Sequence, residues 1–144
     1  MNPYEQYRKV SVMMSSPARL IVMLYDRAIQ DLEIAAEAIA NGDLLLKGER
    51  VLHAQEIITE LMGALDVRSG NEISISLRSL YAYMIRRLIE ANQSKDVSAL
   101  EEIVRLLREL REGWEGAAQQ ETRGAVEGRN AAQEPAATTA ARTS

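Results

Sequence analysis

Cysteine and phenylalanine are both missing from this chain of 144 residues, and tryptophan and histidine occur once each. Without cysteine there is no disulfide, no thiol nucleophile and no zinc-thiolate site, which fits a reducing compartment, and a cytoplasmic location is expected. His53 alone cannot supply the paired Glu-x-x-His ligands of a bundle metal centre, and Arg50 stands where the matching glutamate would have to be. Positive charge is not in excess either: the net charge is -4 and the pI about 5.1, which argues against a nucleic-acid partner. No apolar run approaches the roughly 20 residues of a membrane span. The N-terminal segment is broken by Ser11, Ser15, Ser16 and Arg19, so it does not read as a signal peptide. A glycine-rich phosphate loop, a nucleophile elbow and a catalytic triad are absent, so no catalytic, cofactor-binding or metal-ligating residues are expected. The core must be aliphatic with methionine as filler, and such surfaces repack easily around a helical guest.

What is present is helical periodicity in four segments, which predicts one all-α domain, an antiparallel four-helix bundle over residues 17–118. Ser16 before Pro17 is a start signal, and Ala18, Val22, Tyr25, Ile29, Leu32, Ala36 and Ile39 form one stripe of the first helix. Asn41-Gly42 ends it and Asp43 caps the next helix, about residues 44–67, with Val51, Ala54, Ile58, Leu61 and Leu65 on one face. Gly48 marks either a close helix contact or a weak first turn. In the third helix Ile73, Leu77, Leu80, Met84 and Leu88 make the stripe, with Ser69 and Glu72 at capping-box spacing. Residues 73–77 alternate like a strand, but no second strand pattern exists to pair with them. Ser94 or Asp96 caps the fourth helix, whose stripe is Leu100, Ile103 or Val104, Leu107, Leu110 and Trp114. Beyond Gln120, residues 119–144 read as a disordered or frayed tail, too poor in large apolar side chains to offset ordering entropy.

The first helix carries more apolar surface than one core needs. Leu20, Ile21, Met23, Leu24, Ala28 and Ala35 add a second flank to it, and Tyr81, Tyr83, Ile85 and Ile89 broaden the third helix, a pattern that suits a groove for a partner. Ahead of the bundle, residues 1–16 form a leader with Tyr4, Tyr7, Val10, Val12, Met13 and Met14. It is too apolar for a solvated tail, and either lies as a flap over the groove or packs permanently on the bundle. His53 invites comparison with phosphotransfer domains, but Glu49 and Glu56 one turn away would repel a phosphoryl group, so a solvated surface histidine is expected. Arg87 and Glu90 read as a surface ion pair.

The leader NPYEQY with Val12, the run LIVMLYDRAIQDLEIA, residues 38–66 and LYAYMIRRLIEAN at 80–92 together resemble the FliS family of flagellar export chaperones. The likeness runs in order as far as REGWEGA at 111–117. The resemblance implies a cytoplasmic protein without enzymatic activity that binds the C-terminal segment of flagellin in apolar grooves. It would thereby prevent premature polymerisation and keep the subunit competent for export. The flagellar export apparatus is a further candidate partner. Carried over by position, the partner-binding residues would be Tyr4, Tyr7, Val12, Leu20, Met23, Leu24, Tyr25, Tyr81, Tyr83, Met84 and Arg87. Arg27 departs from the small residue common after Leu-Tyr-Asp, and Gly113 and Gly116 put the role of Trp114 in question. The competing reading is a self-associating structural bundle, a homodimer whose surplus apolar faces bury against a second copy.

Overall fold

A computed structural model describes residues 17–66, 68 and 70–143, with the side chains of residues 125 and 128–143 outside that description. The leader, with Tyr4, Tyr7 and Val12, lies outside the described residues. Four helices follow in order: α1, Pro17–Ala40; α2, Leu44–Gly63; α3, Glu72–Asn92; and α4, Val97–Thr143. They form an all-α bundle in which each helix packs on its two neighbours around a ring, α1 on α2 and α4, α3 on α2 and α4.

The turns are set by their sequences. Gly42 takes a φ of 75°, the left-handed conformation that glycine enters without steric cost, and lets α2 fold straight back along α1. Asp43 then accepts a hydrogen bond from Leu46 N at 3.1 Å and caps α2. This second helix stops at Gly63 rather than near Val67. Ala64 N still donates to Glu60 O, but Leu65 and Asp66 are no longer helical, and only Met62 and Leu65 are left to pack there. The cap of α3 is Asn71, whose Oδ1 accepts from Ile73 N at 2.8 Å and Ser74 N at 3.4 Å; Ser69 lies outside the described residues. Residues 73–77 are helical despite their alternation, since among the described residues there is no strand for them to join. Asp96 caps α4, accepting from Ser98 N at 2.9 Å.

The core is aliphatic as composition requires. Leu24, Leu32, Val51, Ile57, Ile58, Met84, Leu88, Ile103 and Leu107 are completely buried, each contributing on the order of 1.5–3 kcal/mol of apolar transfer. A second small cluster joins the start of α1 to α4: Ala18 and Val22 pack on Ala118, with Trp114 bridging it to the main core. Glu121 Oε2 also accepts from Ala18 N at 3.1 Å, satisfying a free N–H of the first turn of α1 with an anion at the positive end of its dipole. Thus α4 still meets the bundle at Glu121, and its helix runs on to Thr143 past the point where the sequence suggests a disordered or frayed tail. It runs through Gly113 and Gly116, and Trp114 packs as a core-edge residue between them.

Candidate partner-binding surface

Three sets of polar contacts decide which faces of the helices are committed to the bundle. The seam between α1 and α4 is laced by charge: Arg19 pairs with Glu115 at 2.7 Å, Asp26 with Arg111, and Glu33 with Arg108 at 3.0 Å. These partners recur every seven residues along α1, so they lie on one edge of it. Between α1 and α2, the wholly buried Asp31 carboxylate meets Arg50 Nη1 at 3.1 Å, His53 Nδ1 at 2.5 Å and Arg27 Nε at 3.8 Å. Between α3 and α4, Glu102 accepts from Tyr83 Oη at 2.5 Å and Arg87 Nε at 3.0 Å, while Arg87 Nη1 also reaches Glu90 at 3.1 Å. The hydrogen bond from Tyr83 and the Arg87 guanidinium hold the Glu102 carboxyl below its ordinary range, and Tyr83 is raised by the same bond.

These contacts revise one expectation. His53 is not a solvated surface histidine: it is tied to a carboxylate that is itself closed off from solvent, and no sequence signal marked Asp31 as its partner. Arg27 lies along the helix toward Gln30 and Asp31.

The proposed contact residues divide sharply. Leu24, Tyr25, Tyr81 and Met84 are at most 1% exposed and belong to the core. The two tyrosines are accommodated because their hydroxyls bond each other across the bundle, from α1 to α3, with Trp114 adding a bond to Tyr25. Burial pushes both phenols above their ordinary pKa, Tyr25 the further. Surplus apolar residues on α1 are thus explained by its position between α2 and α4, which requires two inward flanks. Leu20, Met23, Tyr83 and Arg87 are half-buried, the last two engaged with Glu102.

Two apolar depressions border α4. A groove of about 490 Å³ follows the α1–α4 seam, floored by Leu32, Ala36, Leu100 and Val104 and rimmed by charged side chains of α4 and Glu33. It exists because both Ile103 and Val104 turn inward, widening the apolar face of α4 beyond a single stripe. A second depression of about 380 Å³ lies between α3 and α4, lined by Ile73, Leu77, Leu80 and Leu110. Ile73 stands 70% exposed beside it although it heads the expected core stripe of α3. A third, near Met23, is flanked by Asp26, Arg27 and Gln30. Among the described residues no three carboxylate, histidine or cysteine side chains converge as metal ligands, and no helix is long and apolar enough to cross a membrane.

Comparison with known proteins shows the family of the chain. The family model described as flagellar protein FliS matches residues 1–121, ending where Glu121 closes on the first turn of α1. The flagellar secretion chaperone FliS of Bacillus subtilis (strain 168) is 38% identical over 120 residues, covering 83% of this chain and 89% of that protein. That of Salmonella typhimurium is 43% identical over 105 residues, covering 72% and 78%. The flagellar secretion chaperone FliSB of Pseudomonas aeruginosa is 38% identical, covering 81% and 95%. The fold is also that of a crystal structure described as a flagellar chaperone from bacteria, with a TM-score of 0.68 at 23% identity over 82% of this chain and 96% of the other. An all-helical ring of four helices, matched from its first residue to the end of its packed region, therefore belongs to the FliS family of flagellar proteins.

Proposed function

We propose that this chain is a cytoplasmic, non-enzymatic secretion chaperone that holds the C-terminal segment of flagellin in the apolar grooves along α4. The observation that carries this reading is the α1–α4 groove, whose aliphatic floor and charged rim suit one face of an amphipathic helix. A groove of this shape gains free energy from apolar burial and spends part of it ordering the guest. It needs no nucleotide. Curated relatives named flagellar secretion chaperone, at 30–43% identity, support the export role. While held, the segment would be unavailable for polymerisation, and the subunit would stay competent for export. Leu20 and Met23, half-buried near the start of α1, extend the contact surface, and Tyr4, Tyr7 and Val12 of the leader would add to it.

Calorimetry of the full chain with the C-terminal segment of its own organism's flagellin tests this. A stoichiometric complex with a negative heat-capacity change is expected. Ala36→Glu places a charge on the groove floor and should weaken the complex about tenfold or more at unchanged helix content, since an unpaired charge must then be desolvated. No binding would leave the self-associating structural bundle as the reading.

A further inference from the structure

Ion pairs close only part of the α1–α4 seam. Arg19, Asp26 and Glu33 of α1 are each answered by α4, in Glu115, Arg111 and Arg108. Next to the last of these pairs the groove opens, with Leu32, Ala36, Leu100 and Val104 inside it and Glu101, Arg105, Glu109 and Glu112 along its α4 edge. These four charged side chains are exposed, and among the described residues none of them closes an ion pair. Glu101, Arg105 and Glu109 follow one another at four-residue spacing, which would let them pair along the helix, yet they stand apart. The fold therefore leaves this charge beside the apolar lining without an answering charge.

From Leu100 to Glu112 the groove follows about 18 Å of α4, the length of about three turns of a guest helix. A helix laid along α4 climbs by the same rise per residue, so charges four apart on one meet charges four apart on the other. We propose, on the reading that this groove seats the flagellin segment, that the seated stretch is a helix whose apolar face is bordered by basic, acidic and basic side chains at successive four-residue steps, facing Glu101, Arg105 and Glu109. That order is the same from both ends, so it holds for either direction of the guest. Glu112 adds a third free carboxylate, and with Glu33 and Arg108 cancelling each other the rim is net acidic, which favours a guest edge that is net basic. A guest with an acidic edge meets like charge at three of these four positions. One with a bare apolar edge draws the same charges toward a dry contact with nothing to answer them. The apolar lining thus accepts amphipathic helices in general, while the rim selects among them and sets their register.

Calorimetry of the full chain with the C-terminal segment of its own organism's flagellin, at about 50 and about 500 mM NaCl, reads this out. The dissociation constant should rise about fivefold or more with salt, because charges at an exposed rim are screened. Glu101→Lys combined with Glu109→Lys, both at exposed positions, should raise it about tenfold at the lower salt and flatten the salt dependence, at unchanged helix content. Exchanging the facing basic residues of the segment for glutamate should restore binding to that double variant. Salt-independent binding that is unchanged in the double variant overturns the proposal and leaves the groove reading standing, which Ala36→Glu tests through the lining instead. Tighter binding in the double variant marks an acidic guest edge and overturns it as well. No binding by the unaltered chain overturns both.

Discussion

Lys47 shows how a single side chain can be legible in sequence and still misleading. A lysine in the first turn of a helix reads as solvated, yet this one is only 7% exposed, its ammonium closing the last carbonyls of α3. The partner carbonyls lie 45 and more residues away, which no local pattern encodes. Tyr25 and Tyr81 mislead in the same direction: the family resemblance puts both among the partner-binding residues, yet both are buried with their hydroxyls against each other. Their raised pKa has a consequence for stability. The folded state keeps both phenols protonated beyond the ordinary value of 10.0, so this contribution is whole below about pH 10 and is lost as pH rises past it, when the unfolded chain ionises first. The urea midpoint should therefore hold up to about pH 10 and then fall, more shallowly in Tyr81→Phe. At neutral pH that variant should cost about 1–2 kcal/mol, because the Tyr25 hydroxyl loses a buried partner. Gly48 presents the reverse case. A Cβ there would meet Asn92 Oδ1 at 3.7 Å, an ordinary contact, so Gly48→Ala should stabilise the protein by about 0.5–1 kcal/mol in urea unfolding.

Helix existence and order follow from sequence because amphipathic period and turn chemistry agree: Pro17, Asn41-Gly42-Asp43 and Asp96 all act where the pattern places them. Helix ends are less legible. Ser69 and Asn71 both offer a side-chain oxygen near the start of α3, and the choice of Asn71 depends on where α2 releases the chain. The end of the packed part of α4 was harder still, since Ala118 and Glu121 sit in an alanine-, glutamine- and glutamate-rich stretch with no large apolar side chain to announce burial. Their role appears only when α1 is laid alongside. Ala118 is completely buried on Ala18 and Val22, where a small side chain lets the helices approach. Ala118→Leu should accordingly destabilise the protein by about 1–3 kcal/mol through overpacking, measured by urea unfolding, although the same change at an exposed helical site would be near neutral.

For the molecule as a whole, fold and family were readable while the α1–α4 groove was not, for one physical reason. Residues that define the family pattern include those that build the core, such as Leu24, Tyr25, Tyr81 and Met84, whereas the groove lined by Leu32, Ala36, Leu100 and Val104 joins two helices more than 60 residues apart in the chain. The ring is also uneven. α1 is held along its length by α2 and by the ion pairs to α4, but α3 meets α4 through its sparsest seam, with Ile73 and Ile75 of its first turns exposed. Amide hydrogen exchange should therefore resolve two tiers: residues 73–78 exchanging through a local opening of α3, and residues 51–61 of α2 only through global unfolding. Uniform protection across both segments would contradict this. The opening tier is the same end of α3 that borders the Leu77, Leu80 and Leu110 depression, so the bundle can widen that depression by fraying one helix end while the rest of its core stays closed.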